Sequence, residues 1–411
     1  MKEIKVVELF AGVGGFRLGL SKSEGKFKTI FSNQWEPNKK PESQYAFKAL
    51  RKNFIDEEDT LNNEDIAIAK YKIPFGIDLL VGGFPCQDYS VAATKAKGIQ
   101  GKKGVLWWEI SWILQHRKPK MVLLENVDRI LKCPSDKRGR DFAIILKNLD
   151  KLGYNVEWKV INAAAYGEAQ KRKRIFIFAW NRKTKINKTK NKNIFKLDNR
   201  QLNFESFFFR EFPSEVILDD KNNMEIVLND FSDEIEVMNN WGGSKFHDDG
   251  LMINGKIKSF KTKPKYDGPF KKMKDIIIDS FDEKLLFTEE QFEKIKYMKG
   301  SKSIKRVNPI GETYTWKEGA MNLYDSLEKP SRTMLTSEST LNRSTHVIKI
   351  SENKYRKISP IEAERLNGFD DNWTADVMPE RMRYFCMGNA LVINLITKMG
   401  NEIHKIIENE E

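Results

Sequence analysis

Cys86 is the residue of this sequence best placed to act as a nucleophile. It follows Gly82-Gly83-Phe84-Pro85, directly after the apolar run Asp78–Val81, and is therefore expected at the carboxyl end of a strand, where open α/β sheets carry their ligands. Proline fixes the chain entering the cysteine and the glycines leave room for a substrate, which suits a thiol nucleophile. A nearby cation or helix N-terminus would let the thiolate form near neutral pH. Cys133 and Cys386 lack this setting and read as buried filler. Glu125-Asn126-Val127 follows a second apolar run, Met121–Leu124, and is expected at the same sheet edge. A carboxyl group beside a thiol can supply or hold a proton during attack on a ring, provided burial raises its pKa; the same acid would also serve as the cap of a short helix. Gln170-Lys171-Arg172-Lys173-Arg174 precedes another strand. If that strand alternates in and out, Arg172 and Arg174 share a face, and the guanidinium fork suits a base carbonyl or a phosphate. Read alone, the run is equally a solvated charged face.

A second constellation lies near the start of the chain. Glu8-Leu9-Phe10-Ala11-Gly12-Val13-Gly14-Gly15-Phe16 joins a predicted strand to a predicted helix. Gly12 and Gly14 let the backbone bend tightly and approach a ligand, and the helix start offers free N–H groups. A carboxylate about 20 residues downstream would bind ribose hydroxyls, and Glu36 stands there. This points to a nucleoside-containing cofactor; the alternative is a tight glycine turn with no ligand.

The elements that must position these groups alternate between strand and helix over the first 180 residues, the pattern of an α/β domain with a largely parallel sheet. Apolar runs occur at Ile4–Phe10, Phe27–Phe31, Ile77–Val81, Met121–Leu124 and Ile175–Ala179. Helical spacing of apolar residues occurs at Phe16–Ser23, Gln44–Asn53, Val105–Gln115 and Asp141–Leu152. Val156–Ala163 and Arg174–Trp180 read as two antiparallel strands at one edge of the sheet. From Asn181 a lysine and asparagine run, NRKTKINKTKNKN, marks a linker and a domain boundary. The stretch to about Lys329 lacks clean periodicity and reads as a loop-rich second domain. Helical patterns return at Ile358–Leu366 and Leu391–Met399. The expected division is 1–180, 181–343 and 344–411, the last segment returning to the first domain.

Composition sets outer limits. Hydrophobic residues make up 40% and charged residues 31%, as in a soluble globular protein, and no stretch approaches the ~20 apolar residues of a membrane span. The N-terminus is too short and too acidic for a secretory signal, so a cytoplasmic protein is expected. Three cysteines, widely spaced, fit neither a Cys-x-x-Cys metal pair nor a disulfide framework; no metal site is expected. The net charge of +13 is compatible with nucleic acid, or with nothing more than solubility.

Taken together, these residues closely resemble the DNA (cytosine-5) methyltransferase family, particularly the bacterial restriction–modification enzymes, over nearly the whole chain. FAGVGG matches the family's cofactor loop, GGFPCQ its nucleophile loop, ENV its glutamate motif and QKRKR its arginine motif. Ser331-Arg332-Thr333-Met334-Leu335 matches the motif closing the variable region and Met387-Gly388-Asn389-Ala390-Leu391 the last motif. The resemblance implies a Rossmann-like S-adenosylmethionine-dependent fold with a smaller target-recognition domain at about Asn181–Arg343, acting as a monomer on double-stranded DNA in a bacterial cytoplasm, with a cognate restriction endonuclease working separately. It implies that Cys86 bonds to C6 of a cytosine flipped from the duplex. Glu125 then contacts N3 and the exocyclic amine, and Arg174, supported by Arg172, the O2 side. Gln87 and Ser90 open a segment reaching to about Gly104 that closes as a lid. The implied cofactor set is Phe10, Gly12, Gly14, Trp35, Glu36, Asp65, Ile66, Pro85, Leu106, Asn389 and Leu391, with Trp35 stacking on adenine and Asp65 accepting from its amine. The family often has an acid just before the aromatic, where this chain has Gln34, which leaves open whether Glu36 or Gln34 meets the ribose. For DNA, Lys258, Lys261, Lys263 and Lys265 are candidates for phosphates, and Asn239, Trp241 and Tyr314 for base edges. The competing readings are a transfer RNA cytosine-5 methyltransferase, disfavoured by the long basic insert between Arg174 and Arg332; a non-catalytic DNA-binding protein, which would not need Cys86, Glu125 and Arg174 together; and a nicotinamide-dependent oxidoreductase, which leaves PCQ and ENV unexplained.

Overall fold

The computed structural model describes residues 2–84, 105–186, 206–217, 223–244, 246–308 and 310–408. The chain forms two units. The first comprises residues 1–167, 173–269 and 392–411, the second residues 168–172 and 270–391.

In chain order the first unit contains β1 (Glu3–Leu9), α1 (Gly15–Ser21), β2 (Lys26–Asn33), α2 (Tyr45–Asn53), β3 (Leu61–Asn62), α3 (Ile66–Ala69), β4 (Leu79–Gly83), α4 (Val105–Arg117), β5 (Met121–Asn126), α5 (Arg140–Lys151), β6 (Tyr154–Asn162), β7 (Lys173–Asn181), β8 (Ser214–Val216), β9 (Asn223–Val227), α6 (Glu234–Asn240), β10 (Asp249–Ile253), β11 (Lys256–Phe260) and β12 (Thr262–Pro264). The second unit holds α7 (Glu289–Lys299), β13 (Lys302–Val307), β14 (Thr313–Glu318), β15 (Ile348–Ser351), β16 (Lys354–Arg356), α8 (Pro360–Asn367) and α9 (Glu380–Asn389), after which α10 (Ile393–Glu408) returns to the first unit.

The central sheet has ten strands in the order β3-β2-β1-β4-β5-β7-β6-β10-β11-β9. The five strands from β3 to β5 are parallel; every pairing beyond β5 is antiparallel. In the parallel half Leu79, Leu80 and Val81 of β4 and Met121 to Leu124 of β5 are buried, because helices cover both faces. That is why these strands read as unbroken apolar runs rather than alternating ones. Helix α2 buries Ala46, Ala49 and Leu50, at spacings of three and four, and turns Arg51 and Lys52 outward. Among the described residues no helix is long and apolar enough to cross a membrane.

Two expectations from the sequence need revision here. The β6–β7 pair is antiparallel as expected, but it does not close the sheet. The β10–β11 hairpin pairs with β6 through Met252↔Val156 to Asp249↔Lys159, and β9 extends the sheet further. Residues 223–260, assigned from the sequence to a second domain, thus belong to the large sheet. The signal for this hairpin was present: Asn254-Gly255, at φ of 50° and 75°, forms the two-residue turn that demands left-handed backbone at both positions. It lies between the apolar runs Leu251–Ile253 and Ile257, but Lys256 and Lys258 break the second run and hid the alternation.

In the second unit, α7 and α8 start at side-chain caps, whereas α9 follows Pro379 without one. Thr288 and Gln291 form a reciprocal cap on α7, as do Ser359 and Glu362 on α8, which also has Pro360 at its first position. Glu362 is wholly buried and is held by the Arg356 guanidinium through two contacts of 2.7 Å.

Candidate active site

Parallel strands end on the same side, so the carboxyl ends of β1, β4 and β5 form one edge. Leu9 pairs with Gly82, and Gly83 with Glu125. Gly82 is needed by close approach rather than by strain, since a Cβ there would stand 2.7 Å from the Leu9 carbonyl oxygen; one on Gly83 would stand 3.2 Å from Glu125 Oε2, a tight contact that would press on the carboxylate. At the next step Asn126, 2% exposed, donates through Nδ2 to the Phe84 carbonyl at 2.9 Å. This bond fixes the chain where it enters Pro85 and Cys86. Pro85, Cys86, Gln87 and Ser90, with the remaining segment to Gly104, lie outside the described residues.

Because β7 runs antiparallel to β5, its beginning rather than its end reaches this edge. Glu125 pairs with Phe176 and Asn126 with Ile175, which places Arg174 beside the glutamate. Arg174 Nε stands 2.9 Å from Glu125 Oε1, with both side chains largely buried. The planar guanidinium holds the carboxylate in one orientation and leaves nitrogen atoms able to donate elsewhere.

Arg172 has a different task. It precedes β7 and is 1% exposed; its Nη1 donates to the Met334 carbonyl at 3.3 Å and its Nη2 to the Gly388 carbonyl at 2.9 Å. Gln170, wholly buried, donates to Leu366 and Asn367 and accepts from the Met334 N–H. Within the second unit these two residues tie together the three segments QKRKR, SRTML and MGNAL. The expectation that Arg172 and Arg174 share one face of a strand is thereby corrected, since Arg172 lies before the strand and satisfies backbone carbonyls.

The glycine loop after β1 begins with Phe10 at φ 54° and Gly12 at φ 57°. A left-handed Phe is costly unless its surroundings impose it; here Ala11 N–H donates to the Asn33 carbonyl at 2.9 Å and docks the loop on the end of β2. Gln34 is buried, and its Oε1 accepts from Gly12 N–H at 2.7 Å. Gln34 therefore shapes the loop. Glu36, half-buried, accepts from the first backbone N–H groups of α2, those of Tyr45 and Ala46, and burial raises its pKa. Its Oε2 is buried without a partner among the described residues. An orphaned carboxylate oxygen is costly, and a hydroxyl-bearing ligand would satisfy it. Trp35 is half-buried beside it. Asp65 caps α3 by accepting from Ala67 N–H at 2.9 Å and is exposed, whereas Ile66 is buried. Phe10 and Leu106 are half-buried against the same core. Gly14 caps α1 at φ 89°. In the second unit, Asn389 ends α9 and is exposed, and Leu391 is buried.

Sequence reasoning missed three supporting residues. Gln44, 1% exposed, exchanges two hydrogen bonds with the Glu36 backbone, at 2.8 and 2.9 Å. Asn63 donates to the Gln34 carbonyl at 2.6 Å. Glu8, wholly buried, accepts from the Ser32 hydroxyl at 2.9 Å and from Arg17 N–H at 3.3 Å; burial pushes its carboxyl up to about 7. Only Glu8 gave a signal, an acid inside an apolar strand. Of the DNA candidates, Trp241 is corrected: it is 6% exposed, donates from Nε1 to the Arg138 carbonyl at 2.9 Å, and stacks on Phe246. Asn239 is exposed at the end of α6, Lys261, Lys263 and Lys265 are exposed, and Lys258 faces Glu225 at 3.9 Å. Tyr314 is exposed on β14.

A sheet whose parallel half brings Glu125 and Arg174 together at its carboxyl edge, beside a glycine loop, is the frame of a nucleoside-handling α/β enzyme, and the family comparison makes it specific: the model for C-5 cytosine-specific DNA methylase matches residues 4–405. The chain belongs to that family and is a DNA (cytosine-5-)-methyltransferase. It is 48% identical over 418 residues to the Type II methyltransferase M.Sau3AI of Staphylococcus aureus, an alignment covering 100% of this chain and 98% of that protein. It is 40% identical over 177 residues to M.HaeII of Haemophilus aegyptius, covering 43% and 50% of the two chains. Among solved structures it is similar to DNMT2 of Spodoptera frugiperda, with a TM-score of 0.60, 13% identity, and coverage of 97% and 99%. It is also similar to the Dnmt2 methyltransferase of S. pombe, with a TM-score of 0.59, 14% identity, and coverage of 99% of each chain. At that identity the likeness concerns the fold alone, which is Rossmann-like.

Proposed function

We propose that the protein methylates C5 of a cytosine flipped out of a specific double-stranded DNA sequence, through a covalent bond between Cys86 and C6, as the methyltransferase of a restriction–modification system. The observation that carries this reading is the Glu125–Arg174 pair beside the strand end leading to Cys86. Cytosine C5 is a poor nucleophile, and addition of a thiolate to C6 makes it an enamine-like carbon able to accept a methyl group. Glu125 would hold N3 and the exocyclic amine, and Arg174 the O2 side, so that charge arriving on the ring during attack is met by groups already in place. Loss of the C5 proton then expels the cysteine and restores the aromatic ring.

S-adenosylmethionine, when bound, supplies the methyl group. The residues that would hold it are the loop from Phe10 to Gly14, Trp35 at the adenine, Glu36 at the ribose, Asp65, Ile66 and Leu106. The unpartnered Glu36 oxygen fits a ribose hydroxyl, and the engagement of Gln34 by Gly12 leaves that task to Glu36.

The test is transfer of labelled methyl groups to mixed-sequence duplex DNA or to transfer RNA, with Cys86→Ala as control. Label as 5-methylcytosine in DNA, absent with the variant, is expected; label confined to RNA would replace the reading with the transfer RNA alternative.

A further inference from the structure

We infer that the open face of the β13–β14 ribbon is a sequence-reading surface that enters the major groove of the target duplex. The inference rests on the reading of the chain as a DNA methyltransferase and names the element that would select its site. β13 and β14 pair only with each other, in the register Lys302↔Glu318 through Val307↔Thr313. Side chains alternate across such a ribbon, so its two faces can be compared directly. One face carries Lys302, Ile304 and Arg306 opposite Glu318, Trp316 and Tyr314. It is internally compensated: the Arg306 guanidinium lies 4.1 Å from the centre of the Trp316 ring, and Glu318 is shared by Lys302 and Arg343.

The other face carries Ser303, Lys305 and Val307 opposite Lys317, Thr315 and Thr313, all six exposed. It has two lysines and no acid, and neither lysine has an ion-pair partner among the described residues. Surfaces that only need to stay soluble intersperse charges of both signs. Here the remaining positions are three hydroxyls and a valine that is 65% exposed. Short hydroxyl side chains donate and accept at base edges, and aliphatic methyls meet the thymine methyl. They also let the backbone come close. A two-stranded ribbon fits the roughly 12 Å major groove of B-DNA as it stands, whereas the roughly 6 Å minor groove takes such an element only when the duplex is bent and widened; the deep, narrow major groove of A-form RNA would not admit it. Lys305 and Lys317, on opposite strands at successive pairs of this face, one intervening pair apart, would reach phosphates flanking the bases read by Ser303, Thr313 and Thr315.

The experiment maps methylated sites on mixed-sequence duplex DNA and measures duplex affinity against salt for the wild type, Ser303→Ala/Thr315→Val, Lys305→Ala/Lys317→Ala, and the control Lys294→Ala on α7, also an exposed lysine. All substitutions are at exposed positions, and unchanged melting confirms intact folding. The hydroxyl variant is expected to lose about 5- to 100-fold in preference for the wild-type site with the salt slope unchanged. The lysine variant is expected to lower the log–log salt slope by about 1.8, at about 0.9 per phosphate contact, with the site unchanged. Variants indistinguishable from Lys294→Ala would overturn the inference, as would equal losses in binding double-stranded RNA, which would make the ribbon a general polyanion contact. A wild type that methylates no DNA would fail the functional reading instead, and the affinity measurements would still decide whether the ribbon engages a duplex.

Discussion

The carboxyl edge of the large sheet and the β13–β14 ribbon handle polar side chains in opposite ways. At the sheet edge the acid, amide and guanidinium are largely buried, and each bonds to another part of the site: Glu125 to Arg174, Asn126 to Phe84, Gln34 to Gly12. On the open ribbon face the lysines and hydroxyls are exposed. Groups that stabilise a transition state must not move when charge develops, whereas groups that read a partner must be free to exchange water for it. The difference predicts that substitutions at the edge damage turnover, and those on the ribbon damage selection.

The largest effect is expected for Cys86→Ala: no methyl transfer in a single-turnover assay, with cofactor affinity unchanged in equilibrium dialysis. Detectable turnover would remove Cys86 from its role. Glu125→Gln comes next, with kcat reduced about 10²- to 10⁴-fold, the usual span for a group that holds or moves a proton, and with the site preference on mapped DNA kept. A shifted site preference would erase the contrast between edge and ribbon. Asn126→Ala removes the amide from a buried carbonyl, so unfolding free energy is expected to fall by about 1–3 kcal/mol in urea titration, with a kcat loss beyond what stability explains. Glu36→Ala is expected to weaken S-adenosylmethionine binding about 10-fold or more, the value of a hydrogen bond to a charged group, leaving duplex affinity alone.

A further expectation concerns pH and stability rather than turnover. Burial pushes the Glu8 carboxyl up to about 7 from an ordinary value of 4.5. The folded chain therefore holds this proton more tightly than the unfolded chain. That contribution to stability is fully present below about 4.5 and is lost as pH rises toward 7. Melting temperatures between pH 5 and 8 should fall less in Glu8→Gln than in the wild type; parallel curves would show that Glu8 does not titrate in this window.

The edge was legible in the sequence for the same reason that it is rigid. Polar residues directly after apolar strands stand out, and parallel strands must end together, so Glu125 and the glycine loop could be placed from order alone. Arg174 needed the reversal of β7, which the short polar turn before it suggested. Arg172 was misread because spacing shows which side chains share a face only where a strand exists, and β7 begins at Lys173. The β10–β11 hairpin was missed where lysines on a half-exposed strand imitate a loop. Gln44 and Asn63 could not be found, since a buried amide that holds a loop looks, in sequence, like any surface amide. Trp241 shows the converse: an aromatic next to glycines in an irregular stretch belongs to the core.

The return of α10 to α1 has a consequence in time rather than in space. Gly19 leaves so little room that a Cβ there would lie 2.5 Å from Ile396 Cβ, and Thr397 donates to the Gly19 carbonyl at 2.9 Å. Domains begin to fold as the chain is synthesised, N-terminal parts first. The strands β1 to β7, with Glu125 and Arg174, lie within residues 3–181 and can associate early. The side of α1 that α10 covers must wait for residues 393–408, some 370 positions after its own synthesis. During that interval the side of α1 that α10 covers stays open to water beside the glycine loop, so this part of the first unit closes last.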